Sequence, residues 1–81
     1  MKIVVKLFAG ARELAGQSEI ELELPAGATI GQLRDVLLET RPQLQPLLSH
    51  ALFAVDAEYA KDHTPVPADA DIACIPPVSG G

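Results

Sequence analysis

Residues 19–41, EIELELPAGATIGQLRDVLLETR, change their hydrophobic period once, and that change decides the fold. From Glu19 to Leu24 acidic and apolar residues alternate one for one, the period-2 pattern of a strand with one buried face. Pro25-Ala26-Gly27 ends the strand. Thr29, followed three residues later by Gln32, has the spacing of a capping box, in which each side chain satisfies a free backbone amide of the other residue. A helix therefore begins at Ile30. Ile30, Leu33, Val36 and Leu37 recur at helical spacing and predict a buried stripe, with Gln32, Arg34, Asp35 and Glu39 on the opposite side. Pro42 pushes Arg41 out of helical geometry and stops the helix there.

Upstream of this stretch, Ile3, Val5 and Leu7 alternate with Lys2, Val4, Lys6 and Phe8, which predicts a first strand with the former set turned inward. One helical turn around Arg12-Glu13-Leu14 and a break at Gly16 separate it from residues 19–24, so the two strands should pair antiparallel. Arg12 and Glu13 are expected to fix that connection by a local ion pair or cap. Downstream, Leu44, Leu47 and Leu48 predict a short helical segment within residues 43–49, and residues 51–55 read as a third strand. Residues 56–67 are polar, with two prolines, and leave room for a short edge strand at Glu58-Tyr59-Ala60. Ile72 to Ile75 is the last strand, ended by Pro76-Pro77, neither of which donates a ladder hydrogen bond. Hairpin, helix and further strands make an α+β chain of the β-grasp (ubiquitin-like) class. It has a mixed sheet, one main helix across one face, and first and last strands side by side and parallel at the centre. The expected organisation is a domain over residues 1–75 and a flexible C-terminal Gly-Gly tail over 76–81.

With 81 residues there is room for one domain and none for a separate catalytic lobe. Apolar residues at 48% and charged residues at 21% are ordinary globular usage. Six Lys+Arg against eleven Asp+Glu give a net charge of -5, which disfavours phosphate backbones and anionic lipid, so neither nucleic acid nor a membrane is an expected partner. No apolar run approaches the roughly 20 residues of a membrane span, and Met1-Lys2 leads straight into a strand pattern. A single cysteine, Cys74, forms no internal disulfide, which suits a reducing, cytoplasmic setting.

The usual catalytic constellations are missing from the sequence. His50 and His63 have no ligand partners at metal-binding spacing and read as surface histidines, so no metal site is expected. Ser18, Ser49 and Ser79 lie in no nucleophile elbow, and no glycine-rich phosphate loop occurs. Cys74 is two residues from Ile72 in the last strand and should point into the core as an inert thiol. Glu19, Glu21 and Glu23 line one side of the second strand, a pattern read as a solvated sheet face ahead of a docking stripe for a basic partner.

What remains is the end, Pro76-Pro77-Val78-Ser79-Gly80-Gly81. Two residues without Cβ make the thinnest peptide, able to thread a channel that rejects any side chain. The preceding prolines are stiff and aim it, and six residues reach at most about 20 Å. The distinctive group is the α-carboxylate of Gly81, a poor electrophile that another enzyme must activate before it carries anything. The residues thus suggest a carrier whose payload hangs from its C-terminus.

Together with this tail, Leu7-Phe8-Ala9, Ala11-Arg12-Glu13-Leu14-Ala15-Gly16, Ala28-Thr29-Ile30 and Ala54-Val55-Asp56 make the chain resemble the small subunits of molybdopterin synthase, the MoaD family of ubiquitin-like sulfur carriers. The resemblance implies that an adenylyltransferase resembling the ubiquitin-activating enzymes spends ATP to form an acyl-adenylate at Gly81. A sulfur donor protein then converts this to a thiocarboxylate. The tail, Pro76, Pro77, Val78, Ser79 and Gly80, threads into the large synthase subunit, where sulfur passes to cyclic pyranopterin monophosphate to build the dithiolene of molybdopterin. The implied assembly is a heterotetramer of two small and two large subunits. The carrier itself binds no cofactor and has no activity alone. Phe8 and Ile75, turned away from the core on adjacent strands, and Tyr59 in the polar turn region match positions that the family uses for docking.

Two departures stand out. Family members usually carry Asn where Asp56 stands, and a Gly-Asp turn where this chain has Asp69-Ala70-Asp71, so the latter turn must manage without glycine. Three other readings share the tail: a carrier for thiamine, cysteine or tRNA thiolation, a ubiquitin-like modifier joined to lysines through Gly81, and a plain binding module with incidental glycines.

Overall fold

The alternation in the first two strands converts directly into burial. In the computed structural model, which describes residues 1–77, strand β1 (Lys2–Leu7) buries Ile3, Val5 and Leu7, and strand β2 (Glu19–Glu23) buries Ile20 and Leu22. They pair antiparallel, with Val5 opposite Ile20 and Lys2 opposite Glu23. Helix α1 (Ala9–Ala15) links them. Helix α2 (Ile30–Thr40) follows, then a 3₁₀ turn (Pro42–Leu44), a one-turn helix α3 (Gln45–Leu48), and strands β3 (Leu52–Val55), β4 (Glu58–Ala60) and β5 (Ile72–Ile75).

The sheet order is β2-β1-β5-β3-β4, with β1 and β5 parallel and the other pairs antiparallel. This is the β-grasp arrangement. Ile30, Leu33 and Leu37 of α2 pack with Ile3, Val5, Phe53, Ile72 and Cys74 into one core on the inner face of the sheet. The start of α2 is fixed as its sequence requires: Gln32 N–H donates to Thr29 Oγ1 at 3.3 Å, and Thr29 N–H donates to Gln32 Oε1 at 2.8 Å.

Four local expectations are corrected. Helix α1 runs seven residues rather than one turn, because buried Ala11 and the close approach of Gly10 to Leu47 pack it against the segment after α2. No ion pair joins Arg12 to Glu13 among the described residues; the helix is closed by Gly16, whose N–H donates to the Arg12 carbonyl at 2.9 Å from a left-handed φ of 71°. Val36 is only half-buried. Arg34 does not project into solvent with its polar neighbours. Its guanidinium donates to the Leu48 carbonyl, to the Ala51 carbonyl at 2.9 Å and to Asp62 Oδ1 at 2.8 Å, and lies 5.0 Å from the Phe53 ring centroid. The carbonyls where α3 gives way to β3, of which Leu48 otherwise accepts only a long 3.4 Å bond from Ala51 N–H, draw it inward.

Candidate functional site

The outer face of the sheet, opposite α2, follows from the register. Lys6 stands opposite Glu19 on one side and Ala73 on the other; Ala73 faces Ala54, and Ala54 faces Tyr59. One row therefore crosses all five strands, charged at β2 and β1 and apolar from β5 onward. In the next row Ile75 faces Leu52. The side chains of a strand alternate between faces, so none of these residues contributes to the core around α2.

Phe8, Ala54, Ala57, Tyr59, Ala73 and Ile75 line one hollow on this face, with Lys6 and Asp71 at its polar margin. The three residues singled out from the sequence, Phe8, Tyr59 and Ile75, are thus brought together. Phe8 and Ile75 also line a second groove, which Ala9, Gly10, Leu47, Pro76 and Pro77 complete. The apolar surface is continuous around these two side chains up to the last described residues. Pro76 is buried and Pro77 exposed. Val78, Ser79, Gly80 and Gly81 lie outside the described residues.

Backbone geometry holds this surface in shape. Phe8 is extended (φ -123°, ψ 155°), and its carbonyl accepts from Ala11 N–H at 3.1 Å, so the ring is presented at a strand-to-helix junction rather than on a free loop. Ala9 follows at φ 49°, a conformation uncommon for a residue with Cβ. The β3–β4 turn places Asp56 and Ala57 at φ 49° and 70°, the positive pair that suits two-residue hairpin connections and delivers Tyr59 to the outer face. The turn before β5 manages without glycine by placing Asp69 at φ 61°, which aspartate tolerates better than most residues.

Large side chains left open to water cluster here. Phe8 is 46%, Leu52 53% and Tyr59 71% exposed. Sequence reading passed over Leu52; its signal was the alternation with Phe53, whose inward direction forces Leu52 outward. The hairpin half of the same face is different. Glu19, Glu21 and Glu23 are exposed opposite Lys6, Val4 and Lys2, and Lys2 Nζ lies 3.8 Å from Glu21 Oε2.

The remaining candidates are chemically quiet. Cys74 is buried, and burial pushes its thiol up to about 11, against a smaller opposite pull from the Arg34 guanidinium. That thiol stays protonated at neutral pH and is a poor nucleophile. His50 and His63 are exposed, and among the described residues no group of three or more His, Cys, Asp or Glu is placed to hold a metal ion. No helix among these residues is long and apolar enough to cross a membrane.

Comparison with known proteins adds four findings. A family model described as the ThiS family matches residues 5–81. A molybdopterin synthase sulfur carrier subunit from Arabidopsis thaliana is 38% identical over 81 residues, covering all of this chain and 84% of that protein. Small archaeal modifier protein 1 from Haloferax volcanii is 31% identical over 84 residues, covering 94% of this chain and 97% of its own length. The crystal structure of SAMP1 from Haloferax volcanii superposes with a TM-score of 0.87 at 29% identity, covering both chains in full.

Proposed function

The chain belongs to the ThiS family, and on that premise we propose that it is the sulfur-carrier subunit of a molybdopterin synthase, docking through the outer sheet face and delivering sulfur on Gly81. The observation that carries this reading is contiguity. Central strand β5 brings Ile75 into the apolar hollow and Pro76-Pro77 to the neighbouring groove, so a partner covering the hollow meets the chain where residues 78–81 begin. Those four residues reach at most about 13 Å beyond Pro77, enough to enter a partner's pocket. Full-length similarity to a protein named as a sulfur carrier subunit supports the same reading.

In this mechanism the folded body orients and the terminus reacts. A carboxylate oxygen of Gly81 attacks the α-phosphorus of ATP on an adenylyltransferase resembling the ubiquitin-activating enzymes, and pyrophosphate leaves. Sulfide-level sulfur delivered by a donor protein displaces AMP from the acyl carbon and leaves a thiocarboxylate. Ionised sulfur is the better nucleophile at neutral pH, and inside the large subunit it bonds to a carbon of cyclic pyranopterin monophosphate. Water then cleaves the acyl C–S bond and returns Gly81 to a carboxylate, and two carriers supply the two sulfurs of the dithiolene. The absence of a side chain at Gly80 and Gly81 lets the peptide fit a narrow channel. The setting is cytoplasmic.

Two measurements test the proposal. Intact mass of the protein from its own cells shows a gain of about 16 Da at Gly81, oxygen exchanged for sulfur. The thiocarboxylated protein with its large subunit forms molybdopterin from the pyranopterin precursor, and deletion of Gly81 abolishes the reaction. No product from the thiocarboxylated form overturns the proposal. A second reading, attachment to target lysines, is favoured by the similarity to small archaeal modifier protein 1. Covalent conjugates ending at Gly81 in cell extracts are its signature.

A further inference from the structure

Lys6 is the one cation among the residues that line the apolar hollow. Cross-strand pairing on the outer face sets it directly opposite Glu19, the usual partner for a lysine at that position. Its Nζ lies instead 3.2 Å from Asp71 Oδ1, on the apolar side. Asp71 is in turn held by its own backbone. Asp71 N–H donates to Asp56 Oδ1 at 2.9 Å, and Asp56 N–H donates to the Asp71 carbonyl at 2.9 Å. These two bonds carry the β3–β5 pairing one residue beyond Val55 and Ile72. They close the β3–β4 turn, where Asp56 sits at φ 49°, onto the entry of β5.

We propose that Asp56 is a positioning residue for docking: by tethering Asp71 it holds the Asp71 carboxylate on Lys6, so that the hollow's cation is neutralised from within the chain and the fitting partner surface is apolar, with no carboxylate opposite Lys6. This deepens the docking reading above and rests on it. In the free protein Lys6 and Asp71 are half open to water, where such a pair contributes little. Docking removes that water. An ammonium buried without a counter-charge is then heavily penalised, whereas one already paired recovers part of its desolvation cost from its partner.

The test is a coupling measurement against the large synthase subunit by calorimetry, with the side-chain order of Lys6 in the isolated protein followed by NMR. Asp71→Ala and Asp56→Ala each weaken binding about tenfold in the native background, and each by less than about twofold once Lys6→Met has removed the charge. Asp56→Asn keeps the Oδ1 acceptor and the native affinity. In the free protein Asp56→Ala loosens the Lys6 side chain and Asp56→Asn does not. Equal losses in both backgrounds, or tighter binding by Asp71→Ala, overturn the proposal, since they mean that a partner carboxylate meets Lys6 or that the aspartates act through fold alone. Unchanged Lys6 order in Asp56→Ala overturns the positioning role without any partner. Failure of the unsubstituted protein to bind the large subunit removes the docking reading itself, and that outcome is separable because the NMR comparison is still read.

Discussion

The two halves of the sheet's outer face share a backbone and differ in almost everything else. On the β1–β2 half, Glu19 and Glu23 stand across from Lys6 and Lys2, Glu21 across from the partly exposed Val4, and the edge strand β2 carries a charge at every second residue. On the β5–β3–β4 half the corresponding positions are Ala73, Ile75, Leu52, Ala54 and Tyr59, bordered by Phe8. A sheet edge with unpaired backbone groups recruits other strands unless charge blunts it, and β2 is blunted in this way. The opposite edge, β4, is limited to three residues. The contrast teaches that the apolar half is not a failure to be soluble. The chain manages water contact well on one half and leaves clustered aromatic and aliphatic groups open on the other, the mark of a surface that another molecule covers.

The contrast sharpens first against the layer behind it. Leu33, fully buried under the sheet, costs about 2–5 kcal/mol of folding stability when replaced by alanine, read by denaturant unfolding. Phe8→Ala, with its ring half open to water, leaves the midpoint close to native and weakens binding to the large subunit by about 2 kcal/mol, roughly thirtyfold. Equal loss of stability in both variants means that the outer side chains are core and the contrast is false. A smaller effect comes from carrying the chemistry of one half onto the other. Tyr59→Glu places a carboxylate among apolar neighbours and lowers affinity by about tenfold, while circular dichroism and thermal unfolding stay native because the position is exposed. Undiminished binding by this variant moves the docking surface elsewhere.

Most of this architecture is legible in the sequence because it rests on two periods. The alternation at 2–8 and 19–24 and the capping box at Thr29 and Gln32 are local signals, and the structure follows them closely. Outward Phe8 falls out of the same alternation, and outward Ile75 out of the inward turn of Ile72 and Cys74 in β5. What stayed hidden depends on contacts far apart in the chain. Arg34 reads as a polar-face residue until the carbonyls of Leu48 and Ala51 come into reach, and nothing near position 34 announces them. The pairing of Lys6 with Asp71 rather than Glu19 needs β5 laid beside β1 and Asp56 folded back onto Asp71. Leu52 was missed for a simpler reason: a four-residue strand gives too few alternations to set its phase.

The smallest expected effect tests the charged half by itself. Lys2 and Glu21 are both well exposed, and their 3.8 Å pair is of the kind whose Coulomb gain is largely offset by solvent and by the ordering of two long side chains. Glu21→Gln keeps size and hydrogen-bonding capacity and removes only the charge. Its expected cost is below about 0.5 kcal/mol in unfolding free energy, shrinking further as salt is raised, with affinity for the large subunit changed less than twofold. A loss near that of Phe8→Ala means that the glutamate stripe touches the partner. The interface then extends over the whole outer face, and the boundary at Lys6 and Ala73 is not where docking stops.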